Sequence, residues 1–105
     1  MKIEYDTSQY IKKINSSDSY FKTFINKKSL ASGVLLLKPN EEDTQEPHES
    51  DEIYYVLKGN GFLQIKKKSY PVKEGNIYFV AKNFPHHFYG NTKDLLVLYF
   101  FGGSD

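Results

Sequence analysis

The stretch QEPHESDEIYYVLKG at residues 45–59, followed by FPHHF at residues 84–88, decides how this sequence is interpreted. All three histidines of the chain fall inside these two segments, and Glu52 follows His48 by four residues. Both segments adjoin runs of aromatic and β-branched residues, which favour strands. Histidines placed at random would seldom cluster in this way, so the pattern predicts a metal site supported by strands.

Length and composition predict one sheet-rich domain spanning residues 1–105. Aromatic residues make up 16% of the chain, with nine Tyr and eight Phe, and such side chains suit a pleated core. The 14 basic and 13 acidic residues leave a net charge of +1, which favours neither nucleic acid nor a membrane surface. We therefore expect a small-molecule ligand or substrate, with no nucleic-acid and no membrane partner.

Cys, Arg and Trp are missing from the sequence, and the absence of the first two limits the chemistry that its side chains can perform. Without Cys there are no disulfides, thiolate ligands or cysteine nucleophiles. Every basic residue is Lys, so the planar fork with which Arg grips carboxylates and phosphates is absent too, although codon bias could also explain this usage. Residues 1–6 lack the apolar run of a signal peptide, and no apolar run reaches membrane-spanning length, so we expect a cytoplasmic protein.

A short helix is predicted near the N-terminus, capped by Asp6 or Thr7. Apolar residues recur at helical spacing before a polar break at residues 15–18: Tyr10, Ile11 and Ile14. We expect residues 1–19 to form a helical strap on a sheet.

Strand signals dominate from residue 20 onward. The predicted strands cover residues 20–25, 32–38, 52–57, 62–66, 77–81, 86–89 and 95–101, with further strand residues at Tyr70 and Val72. Gly59 is predicted to close a tight hairpin that pairs residues 62–66 with residues 52–57, and residues 66–69 form the tip of another. Many short strands separated by turn signals predict an all-β sandwich or barrel over residues 20–102.

The first site segment places several polar groups on one face if the strand is regular through Ser50. Side chains two apart point the same way on a strand, so His48, Glu52 and Tyr54 would share a face. Glu46 would share it as well, whereas Gln45 would need the bend that Pro47 can impose. Either Gln45 or Glu46 could therefore add a fourth ligand.

In the second segment, adjacent histidines point to opposite faces. His86 shares a face with Phe88 while His87 takes the other, so only one of the two histidines can be a ligand in a regular strand. Two imidazoles and one carboxylate form the triad typical of non-haem iron sites, and zinc, manganese, nickel or copper could use the same ligands. The alternative is a polar cluster held by hydrogen bonds without metal. Metal is favoured because a buried carboxylate needs a compensating partner and the chain has no Arg.

Most of the aromatic residues are expected to be core: Phe79, Phe88, Tyr99 and Phe100. Tyr54 is the exception, since it lies on the face of His48 and is a candidate to orient a substrate.

With these motifs in view, the chain resembles a small single-domain cupin. His48, Glu52 and Gly59 fall on the second His, the Glu and the final Gly of that family's first motif. Gly75 and the strand after it match the start of the second motif, whose His position is taken by His86 rather than His87. The chain departs from the pattern where Glu46 replaces the first His, and an oxygen ligand there would change metal affinity and metal identity.

A closer resemblance is to a set of small cupins that carry Asp-x-Gln-x-Pro-His before the Glu. Residues 43–48 match that motif, and the last strand, residues 96–101, also fits the set. In that set the Gln is the replacement for the missing His, so the resemblance favours Gln45 over Glu46 as the fourth ligand.

The resemblance implies a cupin-type jelly roll that holds a divalent metal, Fe, Zn, Mn or Ni, through His48, Glu52, His86 and Gln45. It implies an enzyme that acts on a small organic molecule, an oxygenase or a Lewis-acid isomerase, with Tyr54 as a catalytic residue. A non-catalytic cupin that binds or senses a small ligand is the alternative, and a purely structural polar cluster is a third. Cupins commonly pair through edge strands, so a homodimer is expected.

Overall fold

The computed structural model describes residues 1–15 and 19–103, which form one helix and eight strands. In chain order these are α1 (Thr7–Asn15), β1 (Phe21–Asn26), β2 (Ala31–Leu37), β3 (Glu52–Lys58), β4 (Asn60–Ile65), β5 (Lys68–Lys73), β6 (Ile77–Val80), β7 (His86–Tyr89) and β8 (Leu95–Phe101). The all-β prediction with a short N-terminal helix is confirmed. No helix within the described residues is long and apolar enough to cross a membrane.

The strands form two antiparallel sheets that enclose the core. One sheet has the order β1-β2-β8-β3-β6 and the other the order β5-β4-β7. Burial alternates along β3 and β8 with a period of two, as expected for strands with one face inward. The main cluster combines side chains from both sheets, including Leu37, Tyr54, Leu63 and Phe88. Two facing sheets of this kind make the jelly-roll sandwich that the sequence predicted.

The helix covers part of the outer face of the five-stranded sheet. It begins after Asp6, whose Oδ1 accepts hydrogen bonds from the backbone N and Oγ of Ser8, so Asp6 is the cap. Ile14 packs with Val34 and Leu36 on the outer side of β2, which explains why every residue of β2 is buried. The helix thus packs on the sheet, while residues 16–18 of the predicted strap and polar break lie outside the described residues.

The predicted hairpin at Gly59 is wrong. β3 belongs to the five-stranded sheet and β4 to the three-stranded sheet, so the chain changes sheets at this point instead of pairing back. Gly59 adopts a φ of 97°, and a Cβ there would collide with the backbone oxygen of Asp94. A glycine between two strands indicates a sharp turn. Both a hairpin within one sheet and a corner between two sheets need such a turn, so the glycine alone does not distinguish them. The second predicted hairpin, with its turn at residues 66–67, joins β4 to β5 and is confirmed.

Two aromatic residues expected in the core lie outside it. Phe79 is 61% exposed and Phe100 is 38% exposed, both on the outer face of the five-stranded sheet. Phe88 and Tyr99 are buried as predicted. An aromatic residue on a strand does not reveal which face is inward, because both faces of this sheet carry apolar side chains.

Candidate functional site

A buried carboxylate and a buried imidazole meet where the two sheets face each other. Glu52 begins β3 in one sheet and His86 begins β7 in the other. The His86 Nε2 atom lies 3.1 Å from Glu52 Oε1, and the side chains are only 1% and 2% exposed. A buried carboxylate needs a partner that can carry positive charge, and the sequence has no Arg to provide one. In this structure the partner is the imidazole of His86.

The hydroxyl of Tyr54 lies at the centre of this cluster. Its oxygen is 2.7 Å from Glu52 Oε2, 2.8 Å from Gln45 Oε1 and 2.9 Å from His86 Nε2. Burial, together with the negative charge of Glu52, raises the pKa of Tyr54 well above its ordinary value, so the phenol keeps its proton. A phenol has one hydrogen to donate, so at any moment it can donate to only one of its neighbours.

The protons of His86 can be assigned from its surroundings. Nδ1 lies 2.8 Å from the carbonyl oxygen of Phe84, which can only accept, so Nδ1 carries a hydrogen. Burial lowers the pKa of His86, but the hydrogen bonds to Glu52 and to the Phe84 carbonyl, with the charges of Glu52 and Asp43, outweigh burial and raise it. The cluster therefore favours positive charge at Nε2.

Asp43 is a member of the site that strand alternation did not predict. It is only 7% exposed. Oδ1 accepts from the Tyr20 hydroxyl and from the backbone N of Gln45, at 2.9 Å and 3.3 Å. Oδ2 accepts from Gln45 Nε2 at 2.7 Å and from the backbone N of Phe88 at 2.8 Å. The carboxylate thus ties the loop before β3 to β7, and its one signal in the sequence was its place in the motif at residues 43–48.

The two candidates for a fourth ligand have different surroundings. Because Gln45 Nε2 donates to Asp43, its Oε1 is turned toward Tyr54. Glu46 is exposed. Gln45 therefore joins the cluster and Glu46 does not, which agrees with the motif resemblance and not with simple alternation.

His48 lies apart from Glu52 and His86. A shared face required a regular strand through Ser50, and this condition is not met, because β3 begins at Glu52 and residues 49–50 form a bend. The ring of His48 instead packs on Phe101, with 4.2 Å between ring centroids. Across residues 1–15 and 19–103, no three His, Cys, Asp or Glu side chains come close enough together to hold a metal ion. The structure thus brings together Gln45, Glu52 and His86, whereas the role of His48 as a ligand stays a prediction.

The assignment of the adjacent histidines follows the sequence prediction. His86 is buried and faces the core with Phe88, while His87 is half-buried on the opposite face and contacts the Tyr89 ring. This pair provides a natural control, because the two residues differ in the face they occupy and not in chemistry.

Two cavities border residues of the cluster. One of 380 Å³ is lined by His48, Gln45 and a set of aromatic residues. The other, of 460 Å³, is lined by His86, His87 and again Gln45. Gln45 thus borders both cavities, as do Thr44 and Pro47.

The donor atoms of the cluster fit a cation. Gln45 Oε1, Glu52 Oε2 and His86 Nε2 all lie within 2.9 Å of the Tyr54 hydroxyl oxygen, and Glu52 Oε1 lies 3.1 Å from His86 Nε2. Oxygen and imidazole nitrogen are ligands that divalent zinc, iron, manganese and nickel accept. An excess of acceptors over donors in a buried place is compensated either by a proton on His86 or by a metal ion.

Several known proteins are similar to this chain in sequence or in structure. A family model described as a cupin domain matches residues 33–101. An uncharacterised protein of Streptomyces coelicolor is 27% identical over 86 residues, which cover 82% of each chain. The crystal structure of an uncharacterised conserved protein with a double-stranded β-helix domain from Klebsiella pneumoniae has a TM-score of 0.83 at 11% identity, covering 100% of this chain and 93% of that one.

An enzyme is also similar in structure. The DMSP lyase DddQ of Ruegeria pomeroyi has a TM-score of 0.69 and 18% identity, covering 80% of this chain and 47% of that one. This chain therefore spans about half of that lyase. At such identities the two structural likenesses establish a common fold and nothing further.

Proposed function

The chain belongs to the cupin family, and on that premise we propose that it is a divalent-metal-dependent enzyme that acts on a small organic molecule. Glu52, His86 and Gln45 would hold the metal, with His48 as the further ligand that the sequence predicts. Iron, zinc, manganese and nickel are the candidate ions. The reaction class is an oxygenase or a Lewis-acid isomerase, and Tyr54 is the proposed catalytic residue.

One observation carries the proposal: three side chains with oxygen or nitrogen atoms that can bind a metal converge on the Tyr54 hydroxyl from separate parts of the chain. Gln45 comes from the loop before β3, Glu52 from β3 and His86 from β7. Assembling buried acceptors without enough hydrogens is costly unless a cation compensates them. A proton on His86 would compensate these acceptors without metal, and a divalent ion held by the same three side chains would take the place of that proton.

The residues of the cluster would have separate roles in binding the metal and the substrate. A bound divalent ion would polarise a substrate oxygen as a Lewis acid. The carbonyl of Phe84 holds the proton of His86 on Nδ1, which leaves Nε2 directed into the cluster. Asp43 orients the amide of Gln45. Tyr54 keeps its proton because burial raises its pKa, so its hydroxyl would donate a hydrogen bond to a substrate atom.

The cavity of 380 Å³ supports an uncharged organic substrate. Its walls include the rings of Tyr20, Phe21, Tyr99 and Phe101, which suit an apolar or aromatic body. Among the described residues that line it, Glu46 is the one charged side chain, and none is a lysine that could neutralise an anionic group. Gln45 and His48 supply polar atoms at its edge that could orient such a molecule.

Metal content tests the first half of the proposal. We expect about one metal ion per chain in untagged protein expressed with iron, manganese, nickel and zinc, measured by inductively coupled plasma mass spectrometry. His86→Ala should lose the metal, whereas the control His87→Ala should retain it. A His48→Ala variant that also loses metal would place His48 among the ligands. A folded, metal-free parent protein would overturn the proposal.

Turnover tests the second half and separates an enzyme from the alternative, a cupin that only binds or senses a ligand. Metal-loaded parent protein would be screened against uncharged small molecules under air, with product formation followed by mass spectrometry. Turnover that disappears in Tyr54→Phe while metal is retained would support catalysis with Tyr54 as a participant. Ligands that bind without any conversion would favour the non-catalytic cupin.

A further inference from the structure

We propose that a cavity between β5 and β6 binds a small amphiphilic carboxylate, a molecule with an apolar chain and one anionic end. Among the described strands, β5 is the last of the three-stranded sheet and β6 the last of the five-stranded sheet. The cavity between them, here called the seam cavity, has a volume of 330 Å³. The described residues that line it are all apolar or aromatic, among them Leu63, Ile65, Tyr70, Ala81 and Phe84.

The seam cavity exists because β5 and β6 follow each other in the chain but belong to different sheets. No backbone ladder pairs the two strands within the described residues. One hydrogen bond crosses between them, from the backbone N of Lys73 to the hydroxyl of Tyr78 at 3.0 Å. Leu63 is fully buried in the main core, whereas Tyr70 is 41% exposed. The cavity therefore extends from the surface to the core.

Two lysines lie at the end of the seam cavity that is near the turn between β4 and β5. The Lys66 Nζ atom is 3.8 Å from the centroid of the Phe84 ring, which lines the cavity. Lys68 precedes Tyr70 by two residues on β5, so the two side chains share a face of the strand. A carboxylate at this end of the cavity would meet the positive charges of Lys66 and Lys68.

The backbone that carries Lys66 is fixed. Lys66 has a φ of 55°, and its backbone N donates to the carbonyl oxygen of Pro85 at 2.9 Å. The Gln64 Nε2 atom donates to the carbonyl oxygen of Lys66 at 3.1 Å. Lys66 also lines the cavity of 460 Å³, so it lies between that cavity and the ring of Phe84. Because the turn is held in place, the lysine is available at this position before a ligand arrives.

The chemistry of the seam cavity selects an amphiphile of limited size. Its apolar walls favour a hydrocarbon body, and the lysines at one end favour a single anionic group there. A volume of 330 Å³ is at the lower end of the roughly 300–1,000 Å³ that ligand pockets span, so a short-chain acid fits better than a large lipid. The cavity shares no lining residue with the two cavities beside the Tyr54 cluster, so the inference is independent of metal binding.

Isothermal titration calorimetry with octanoate and octan-1-ol tests the charge preference. We expect octanoate to bind once per chain and more tightly than octan-1-ol. Replacing both lysines, Lys66→Gln with Lys68→Gln, should weaken octanoate binding roughly three- to tenfold and leave octan-1-ol binding unchanged. The matched control, Lys67→Gln with Lys73→Gln, removes the same charge from exposed positions that do not line the cavity, and should bind octanoate as the parent does.

Methyl NMR of the same protein tests where the ligand lies. Octanoate should shift the methyl resonances of Ile65 and Ala81, which line the seam cavity, and leave those of Leu35, which lines the cavity of 380 Å³, unchanged. Ala81→Leu should fill part of the cavity and weaken the binding of both probes. Circular dichroism verifies that each variant is folded, and the methyl shifts of the parent decide the location should Ala81→Leu fail to fold.

Three results would overturn the proposal. The first is a folded parent chain that does not bind octanoate at millimolar concentration, including a chain whose self-association covers the cavity and excludes the probe. The second is an equal loss of octanoate affinity in the two double variants. The third is a set of octanoate-induced shifts at Leu35 with none at Ile65 and Ala81.

Discussion

Asp43 and Gln45 are joined by a hydrogen bond in which the amide Nε2 of Gln45 donates to Asp43 Oδ2 at 2.7 Å. Since an ionised carboxylate only accepts, this contact fixes which end of the amide faces the site. Gln45 Oε1 is then directed at the hydroxyl of Tyr54. A buried aspartate outside the candidate ligand set thus determines the orientation of a ligand candidate.

Asp43→Asn should destabilise the fold. Asn offers one acceptor oxygen where Asp43 accepts from Tyr20, Phe88 and Gln45, so buried donors lose their partner. We expect a loss of about 3 kcal/mol in the free energy of unfolding, measured by urea denaturation of metal-free protein. Asp94→Asn, at an exposed position, should change stability by less than about 0.5 kcal/mol. Equal effects of the two substitutions would contradict the assigned role of Asp43.

Tyr54→Phe should separate metal retention from the other properties of the site. Because Glu52, His86 and Gln45 keep their donor atoms, metal content should stay at the parent level. Glu52 Oε2 loses a hydrogen-bond donor, so metal-free protein should be destabilised by about 1–3 kcal/mol. Tyr55→Phe, at the next residue on the outer face, is the control and should change neither quantity. Loss of metal in Tyr54→Phe alone would mean that the phenol itself is needed for metal binding.

Gly33→Ala should disturb the wall of the cavity lined by His48. A Cβ at Gly33 would overlap the Tyr99 hydroxyl and the carbonyl oxygen of Lys22. We expect a loss of about 1–3 kcal/mol from overpacking, measured by urea denaturation. Gly102→Ala provides the comparison, since its Cβ would meet its nearest atom at 3.8 Å, an ordinary contact. If Gly33→Ala were as well tolerated as Gly102→Ala, the close approach of Tyr99 would be wrong.

Deprotonation of Tyr20 should lower the free energy of unfolding at alkaline pH. Burial, together with the charge of Asp43, raises the pKa of Tyr20 above its ordinary value of 10.0, although the backbone N–H of Thr44 opposes this. A group whose pKa is raised by folding stabilises fully below its unfolded pKa and loses that contribution as pH rises through the folded value. The parent protein should therefore have a larger free energy of unfolding than Tyr20→Phe, by an amount that is constant at neutral pH. This difference should decrease above pH 10.0. Urea denaturation across this range measures it, and a difference that stays constant throughout would refute the shift.

Much of the fold followed from local patterns. The strands at residues 86–89 and 95–101 were predicted with their observed bounds, and the helix began after one of its two predicted caps. These features depend on alternation, turn residues and capping, which are encoded within a few residues. The partner of each strand is not encoded locally, which is why Gly59 was interpreted as a hairpin instead of a corner between sheets.

The candidate site was predicted in part for the same reason. Glu52, Tyr54 and His86 lie on regular strands, where alternation assigns faces correctly. His48 and Gln45 lie in the loop before β3, where side chains do not alternate between two faces. Only the motif resemblance therefore favoured Gln45. Asp43 acts through hydrogen bonds to residues as distant in sequence as Phe88, and no local pattern anticipates such contacts.

The most direct test of the central claim is a crystal structure of metal-loaded protein with anomalous diffraction collected at the absorption edge of the bound metal. The account predicts one anomalous peak among Glu52, His86 and Gln45, at about 2.0–2.2 Å from His86 Nε2 and a Glu52 oxygen. An anomalous peak on the surface, with the Tyr54 hydroxyl still hydrogen-bonded to Glu52 Oε2 and His86 Nε2, would contradict it.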